Sequence, residues 1–160
     1  MNKFDISKLE KSVREVPDFP KPGIKFKDIT PILINPKLLS MSIEALASHV
    51  DSSSIDKIIG IDARGFIFGS LLANLLGKGF IPVRKEGKLP WQTESQAYDL
   101  EYGKSVIEIH KDAIDPGERI LIVDDLLATG GTAEAAVKLV EKLSGTVDSL
   151  IFFIELEFLH

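Results

Sequence analysis

Nothing in this chain restricts its fold more than the stretch "ILIVDDLLATGGTAEAA", residues 120–136. Its four leading aliphatic residues have the length of a buried strand. They run into two adjacent carboxylates, Asp124 and Asp125, and then, past Ala128, into Thr129-Gly130-Gly131-Thr132. An alanine-rich segment with helical spacing follows and ends at Gly145. The pattern of strand, turn and helix occurs once more: "DKIIGID" runs into Asp62-Ala63-Arg64-Gly65, and "GFIFGSLLANLLG" closes near Gly77. With further strands at "GFIPVRK", "SVIEIHKD" and "SLIFFIELEF", this order predicts an α/β fold with a mainly parallel central sheet flanked by helices. In such sheets ligands bind beyond the carboxyl ends of the strands, where both loaded turns lie.

The 160 residues suit a single domain. Residues 1–35 read as an N-terminal helix and an arm: Ile6, Leu9, Val13 and Val16 align on one helical face, and the prolines at 17, 20, 22 and 31 then bar a helix. "LLSMSIEALASHV" is helical again. Glu86 to Asp99 is polar and reads as a long exposed loop containing Trp91, a candidate lid contact. "DPGE" marks a turn. A net charge of −5 argues against a general nucleic-acid or membrane-surface binder. The absence of cysteine removes disulfides and thiol chemistry, and the N-terminus shows no apolar signal core, so a cytoplasmic protein is expected.

A strand followed by a Thr/Gly turn and a helix makes an anion site, because open N–H groups and the helix dipole favour negative charge. It is neither a Walker loop nor a dinucleotide fingerprint. The acid pair would repel a bare phosphate, so neutral or cationic groups must stand beside it: ribose hydroxyls, which donate to carboxylates, or Mg²⁺. A phosphate a few residues from a diol-gripping acid pair describes a ribose 5-phosphate. A plain capped helix start with solvated acids is the alternative reading. Arg64 can grip phosphate oxygens with its planar fork, or form a surface ion pair. His49, His110 and His160 have no ligand spacing and read as structural. No protein-only metal cage is visible.

"ILIVDDLLATGGT" resembles the signature of the type I phosphoribosyltransferases, with strand, Asp-Asp and Ala-Thr-Gly-Gly-Thr in register. "VPDFPKPGIKFKDITPIL", "GIDARGFIFG", "IPVRKEGKLP" and "YDLEYGKSVIEIHKDAI" are similar to the arm, the pyrophosphate loop and the segments framing the flexible loop of that family's adenine-using branch. The resemblance implies the type I fold, with an N-terminal hood and a flexible catalytic loop at 85–105. It implies Mg-dependent transfer of the 5-phosphoribosyl group from phosphoribosyl pyrophosphate to adenine, giving AMP and pyrophosphate in purine salvage. Mg²⁺ would be held through substrate oxygens and water, and the protein would be a homodimer.

The same resemblance implies residue roles. Asp124, Asp125, Ala128, Thr129, Gly130, Gly131 and Thr132 hold the phosphoribosyl group. Asp62, Ala63 and Arg64, with a cis peptide at Asp62–Ala63, hold the pyrophosphate, and Arg84, Lys85 and Lys88 balance its charge. Glu101, beside Tyr102, handles the proton at adenine N7, with Arg64 also acting in catalysis; Glu108, in the alternating strand "SVIEIH" and expected to face solvent, is the rival carboxylate. Lys25, Phe26, Lys27 and Leu156 contact adenine, Phe26 by stacking. Lys27 stands where some relatives carry arginine and lacks the bidentate fork. Relatives continue past the segment matching "IELEFLH", so a shorter C-terminus is expected. Two alternatives remain: a related enzyme using another purine base, and a non-catalytic regulator that binds phosphoribosyl pyrophosphate.

Overall fold

In a computed structural model, which describes residues 6–100 and 103–156, the aliphatic runs at 57–61 and 120–127 lie side by side as parallel strands. The chain divides after His49 into two compact units.

The first unit begins with helix α1 (Ile6–Ser12). Strands β1 (Arg14–Pro17) and β2 (Lys25–Asp28) form an antiparallel hairpin. Short α2 (Thr30–Leu33) and amphipathic α3 (Pro36–Ala47) follow. The side chain of Asn35 caps α3 by accepting from Lys37 N at 3.0 Å, with Pro36 as the first helical residue. Val13 and Val16 therefore do not continue the first helix as expected. The chain turns extended at Arg14 because ladder bonds to β2 and cross-strand ion pairs are available there: Arg14 to Asp28 at 3.2 Å and Lys27 to Glu15 at 2.8 Å. The proline-rich arm thus holds strand β2, in keeping with an ordered arm.

The second unit is one six-stranded sheet, built from β3 (Lys57–Ile61), β4 (Gly79–Lys85), β5 (Thr93–Leu100), β6 (Gly103–His110), β7 (Arg119–Leu127) and β8 (Thr146–Glu155). The spatial order is β5-β6-β4-β3-β7-β8. The four strands from β4 to β8 in that order are parallel; β6 and β5 are joined by antiparallel pairing. Helix α4 (Gly65–Leu76) carries the chain from β3 to β4, and α5 (Gly131–Lys142) carries it from β7 to β8. The two crossovers lead in opposite directions from the β3–β7 pair. Strand order thus reverses between β3 and β7, and in sheets of this kind ligands bind beyond the carboxyl ends at such a point.

Side-chain alternation places the helices on opposite faces. Ile59, Ile61, Ile81, Val83, Ile120 and Ile122 pack with Ala135, Ala136, Leu139 and Val140 of α5 in one buried core. The other face needs small residues. A Cβ at Gly60 would stand 2.7 Å from the Phe80 ring and 2.9 Å from the Gly65 carbonyl oxygen, and one at Gly69 would meet Gly60 at 3.2 Å. These glycines let α4 lie close on the strand and leave room for Phe80, which meets Phe66 edge to face.

The stretch expected as an exposed loop from Glu86 to Asp99 is a loop only as far as Gln92. From Thr93 onward it is β5, paired with β6 from Thr93↔His110 to Leu100↔Gly103. Hydrophobic alternation misses this strand because its residues are mostly polar.

Candidate active site

At the carboxyl end of β3 the chain makes the Asp62–Ala63 turn, and that peptide is cis, as expected. The turn delivers Arg64 to the N-cap position of α4 and Gly65 to its first turn. Arg64 reaches across to the end of β7, where its Nε lies 2.9 Å from Asp125 Oδ2. Asp125 is 4 % exposed and is one of two buried polar residues among those described, Ser42 being the other. A buried carboxylate requires a donor, and the guanidinium supplies it.

Asp124 is the other half of the pair. Its Oδ1 accepts the Asp125 backbone N–H at 2.8 Å. The start of α4 presses against it: a Cβ at Gly65 would stand 2.8 Å from Asp124 Oδ1 and 2.8 Å from the Val123 carbonyl oxygen. Burial pushes Asp124 up to about 7, and the adjacent Asp125 charge adds to the rise. Burial also raises Asp125, against the opposing pull of Arg64. The pair therefore holds less negative charge at neutral pH than two free aspartates would. It is suited to accept from hydroxyls or to face a cation.

Beyond Ala128, Gly130 adopts the left-handed conformation (φ 84°) at the N-cap of α5, and the helix begins at Gly131. Glycine brings no side chain to this position, so the first N–H groups of α5 stay open to an anion beside the hydroxyls of Thr129 and Thr132. Leu156 donates its N–H to the Leu127 carbonyl at 2.9 Å and so stands at the same end of the sheet, next to Ala128.

Arg84, at the end of β4, has a different set of contacts. Its Nε lies 3.0 Å from Asp62 Oδ2, and its NH1 donates to the Lys88 carbonyl at 3.0 Å. Arg84 thus ties the cis turn to the start of the β4–β5 loop. Glu108, singled out as a rival carboxylate facing solvent, is half-buried and fastens that loop at both ends, accepting from Gly87 N at 3.0 Å and Thr93 Oγ1 at 3.3 Å. The side chains of Lys85 and Lys88 are exposed. Lys25, Phe26 and Lys27 lie on β2 of the first unit, where Lys27 pairs with Glu15 and Phe26 meets Phe19 edge to face at 5.1 Å. Glu101 and Tyr102 lie outside the described residues. Sequence reasoning missed Gly65 as the backing of Asp124. Its signal was a glycine at a helix start, where no turn demands one.

Acid pair, cationic turn and open helix start meet at the point where strand order reverses. Residues 28–153 match the phosphoribosyl transferase domain, which defines the class. Over 154 residues the chain is 56% identical to an adenine phosphoribosyltransferase of Thermoanaerobacter sp., covering 96% of this chain and 89% of that one. Among solved structures it is similar to the adenine phosphoribosyltransferase of Thermoanaerobacter pseudethanolicus, with TM-score 0.94 and 56% identity over 96% of this chain and 90% of that one. It is also similar to the Saccharomyces cerevisiae adenine phosphoribosyltransferase, complexed with an imino-altritol bisphosphate and adenine, with TM-score 0.92 and 44% identity over 96% and 89% of the two chains. The chain belongs to the adenine phosphoribosyltransferase family.

Proposed function

We propose that this protein transfers the 5-phosphoribosyl group of phosphoribosyl pyrophosphate to adenine, forming AMP and releasing pyrophosphate, in purine salvage. The observation that carries the reading is the meeting of Asp124 and Asp125, the Arg64 turn and the open start of α5 at one end of the sheet. The start of α5 and the Thr129–Thr132 hydroxyls hold the 5-phosphate. Asp124 and Asp125 accept from the ribose hydroxyls and keep the sugar fixed as its anomeric carbon gains oxocarbenium character. Arg64 gathers charge on the leaving pyrophosphate, and Lys85 and Lys88 add to it from the rim. Glu101 handles the proton at adenine N7, while Lys25, Phe26, Lys27 and Leu156 read the base. The yeast relative, complexed with a bisphosphate and adenine, supports this choice of ligands.

Among the described residues no group of three or more His, Cys, Asp or Glu could hold a metal ion by itself. Two adjacent carboxylates do fit a hard cation that is held mainly by substrate oxygens and water. Bound that way, Mg²⁺ would neutralise charge on the pyrophosphate. A homodimer is part of the proposal, supported by Leu71 and Leu75, which leave 37% and 53% of their surface exposed on the outer face of α4. Analytical ultracentrifugation tests it. A cytoplasmic setting suits the cysteine-free composition. No helix among the described residues is long and apolar enough to cross a membrane.

The activity is tested by competition. The protein, Mg²⁺ and phosphoribosyl pyrophosphate are offered adenine, hypoxanthine, guanine and xanthine together, and the nucleotides are separated. AMP alone is expected. Another nucleotide would overturn the adenine assignment, and binding without any product would favour a non-catalytic regulator.

A further inference from the structure

Glu108 has no part in the chemistry above, yet both of its carboxylate oxygens are engaged. It stands on β6, between β4 and β5, with Arg84 and Ser95 as its direct neighbours in the two ladders. Paired residues of adjacent strands point to one face, so Glu108 and Arg84 share a face. The paired part of β4 ends at Lys85↔Ile107. There the chain turns: Lys88 donates its N–H to the Lys85 carbonyl at 3.2 Å, and Gly87, third of the four residues, has a φ of 74°. Two side chains then hold the turn. Glu108 Oε2 accepts the Gly87 N–H at 3.0 Å, while its Oε1 accepts from Thr93 Oγ1 at 3.3 Å. Arg84 Nη1 donates to the Lys88 carbonyl at 3.0 Å, and Arg84 Nε lies 3.0 Å from Asp62 Oδ2. One ladder pair, Arg84 and Glu108, thus fixes the turn and joins it to the end of β3.

The two lysines of this turn are anchored differently. Lys85 is held by its ladder pair on β6. Lys88 lies beyond the ladder, so its place depends on the turn. We infer that Glu108 is a positioning residue for the leaving pyrophosphate: by holding Gly87 it sets where Lys88 stands beside Arg84 and the Asp62–Arg64 turn. The inference rests on the pyrophosphate role of Lys88 proposed above. The charge of Glu108 cannot be the reason for its presence, because a carboxylate repels an anion. Its hydrogen bonds are. Glutamine can make both of them, with Oε1 accepting from Gly87 and Nε2 donating to the Thr93 hydroxyl. Methionine fills the same space and makes neither. Gly87 is exposed, so its N–H turns to water when the acceptor is lost and the fold is little affected. A ligand without pyrophosphate should not sense the change.

The test is calorimetric titration of phosphoribosyl pyrophosphate with Mg²⁺, and separately of AMP, into Glu108→Met, Glu108→Gln, Lys88→Met and the Glu108→Met, Lys88→Met double variant, each checked for folding by circular dichroism. Glu108→Ala, which also lacks both contacts, serves as a second probe should the methionine variant fail to fold. Glu108→Met should bind phosphoribosyl pyrophosphate ~10-fold more weakly and AMP within about twofold of the unsubstituted protein, and Glu108→Gln should stay within about threefold for both ligands. The double variant should bind no more weakly than Lys88→Met alone, because Glu108 acts through Lys88. A folded Glu108→Met protein with unchanged phosphoribosyl-pyrophosphate affinity overturns the proposal. So does an equal loss for AMP, a Glu108→Gln protein as weak as Glu108→Met, or additive losses in the double variant. If Lys88→Met binds weakly and Glu108→Met normally, the positioning role fails while the pyrophosphate reading stands. If Lys88→Met binds normally, the role of Lys88 fails and the proposal fails with it.

Discussion

Arg64 and Asp125 are joined across the mouth of the sheet, Nε to Oδ2 at 2.9 Å, with one partner on the turn after β3 and the other on β7. The contact links the part of the site assigned to pyrophosphate with the part assigned to the ribose. It also gives Arg64 a structural role that can be separated from its chemistry.

Arg64→Met keeps much of the aliphatic stem and removes the charge. Asp125, its side chain 6% exposed, would then be buried without its guanidinium. A loss of about 1–3 kcal/mol in urea unfolding at neutral pH is expected, the usual cost of stranding a buried polar group. The loss should shrink at low pH, where Asp125 can protonate. In the same variant kcat/KM should fall by ~100-fold or more if the fork also binds the leaving group. Unchanged stability would mean that Asp125 finds another donor.

Gly65→Ala is expected to damage the site from behind. The new Cβ meets Asp124 Oδ1 and the Val123 carbonyl oxygen, each at 2.8 Å, and backbone on that side cannot easily yield. A destabilisation of about 1–3 kcal/mol is predicted, with weakened phosphoribosyl-pyrophosphate binding as Asp124 is displaced. Gly79→Ala is the control: the nearest atom is Lys57 Cγ at 3.4 Å, on a flexible side chain. Thermal unfolding should show a clear drop for the first and little change for the second.

Asp124 is pushed up to about 7 from 3.8, so its proton stays on in the folded protein after the unfolded chain has lost it. Its contribution to stability is full below pH 4 and declines as pH rises through about 7. Asp124→Asn should therefore lose stability less steeply than the unsubstituted protein between pH 5 and 8, by at most about 1.4 kcal/mol per pH unit, in urea titrations at several pH values. A parallel decline in both proteins would place the titration elsewhere.

Much of this site could be read from residue order, because its parts are local. The strand, acid pair and Gly/Thr turn of residues 120–132 need only the rules for helix starts and buried strands, and the Asp62–Gly65 turn follows the same logic. The contacts that lock the parts together could not be read in this way. Arg64 meets Asp125 across sixty-one positions of sequence, and which carboxylate accepts from Arg64 depends on the packing of β3 against β7. β5 was hidden because its stability comes from ladder bonds to β6 and from Tyr98 on the core, neither of which produces an apolar repeat. Glu108 looked like a solvent-facing acid until its two loop contacts were in place.

The most direct measurement is a calorimetric titration of phosphoribosyl pyrophosphate with Mg²⁺ into the unsubstituted protein and into an Asp124→Asn, Asp125→Asn double variant, with circular dichroism confirming that both are folded. The unsubstituted protein should bind at one site per chain, and the double variant should show no measurable binding. Equal affinity in the two proteins would contradict the assignment of the acid pair to the ribose.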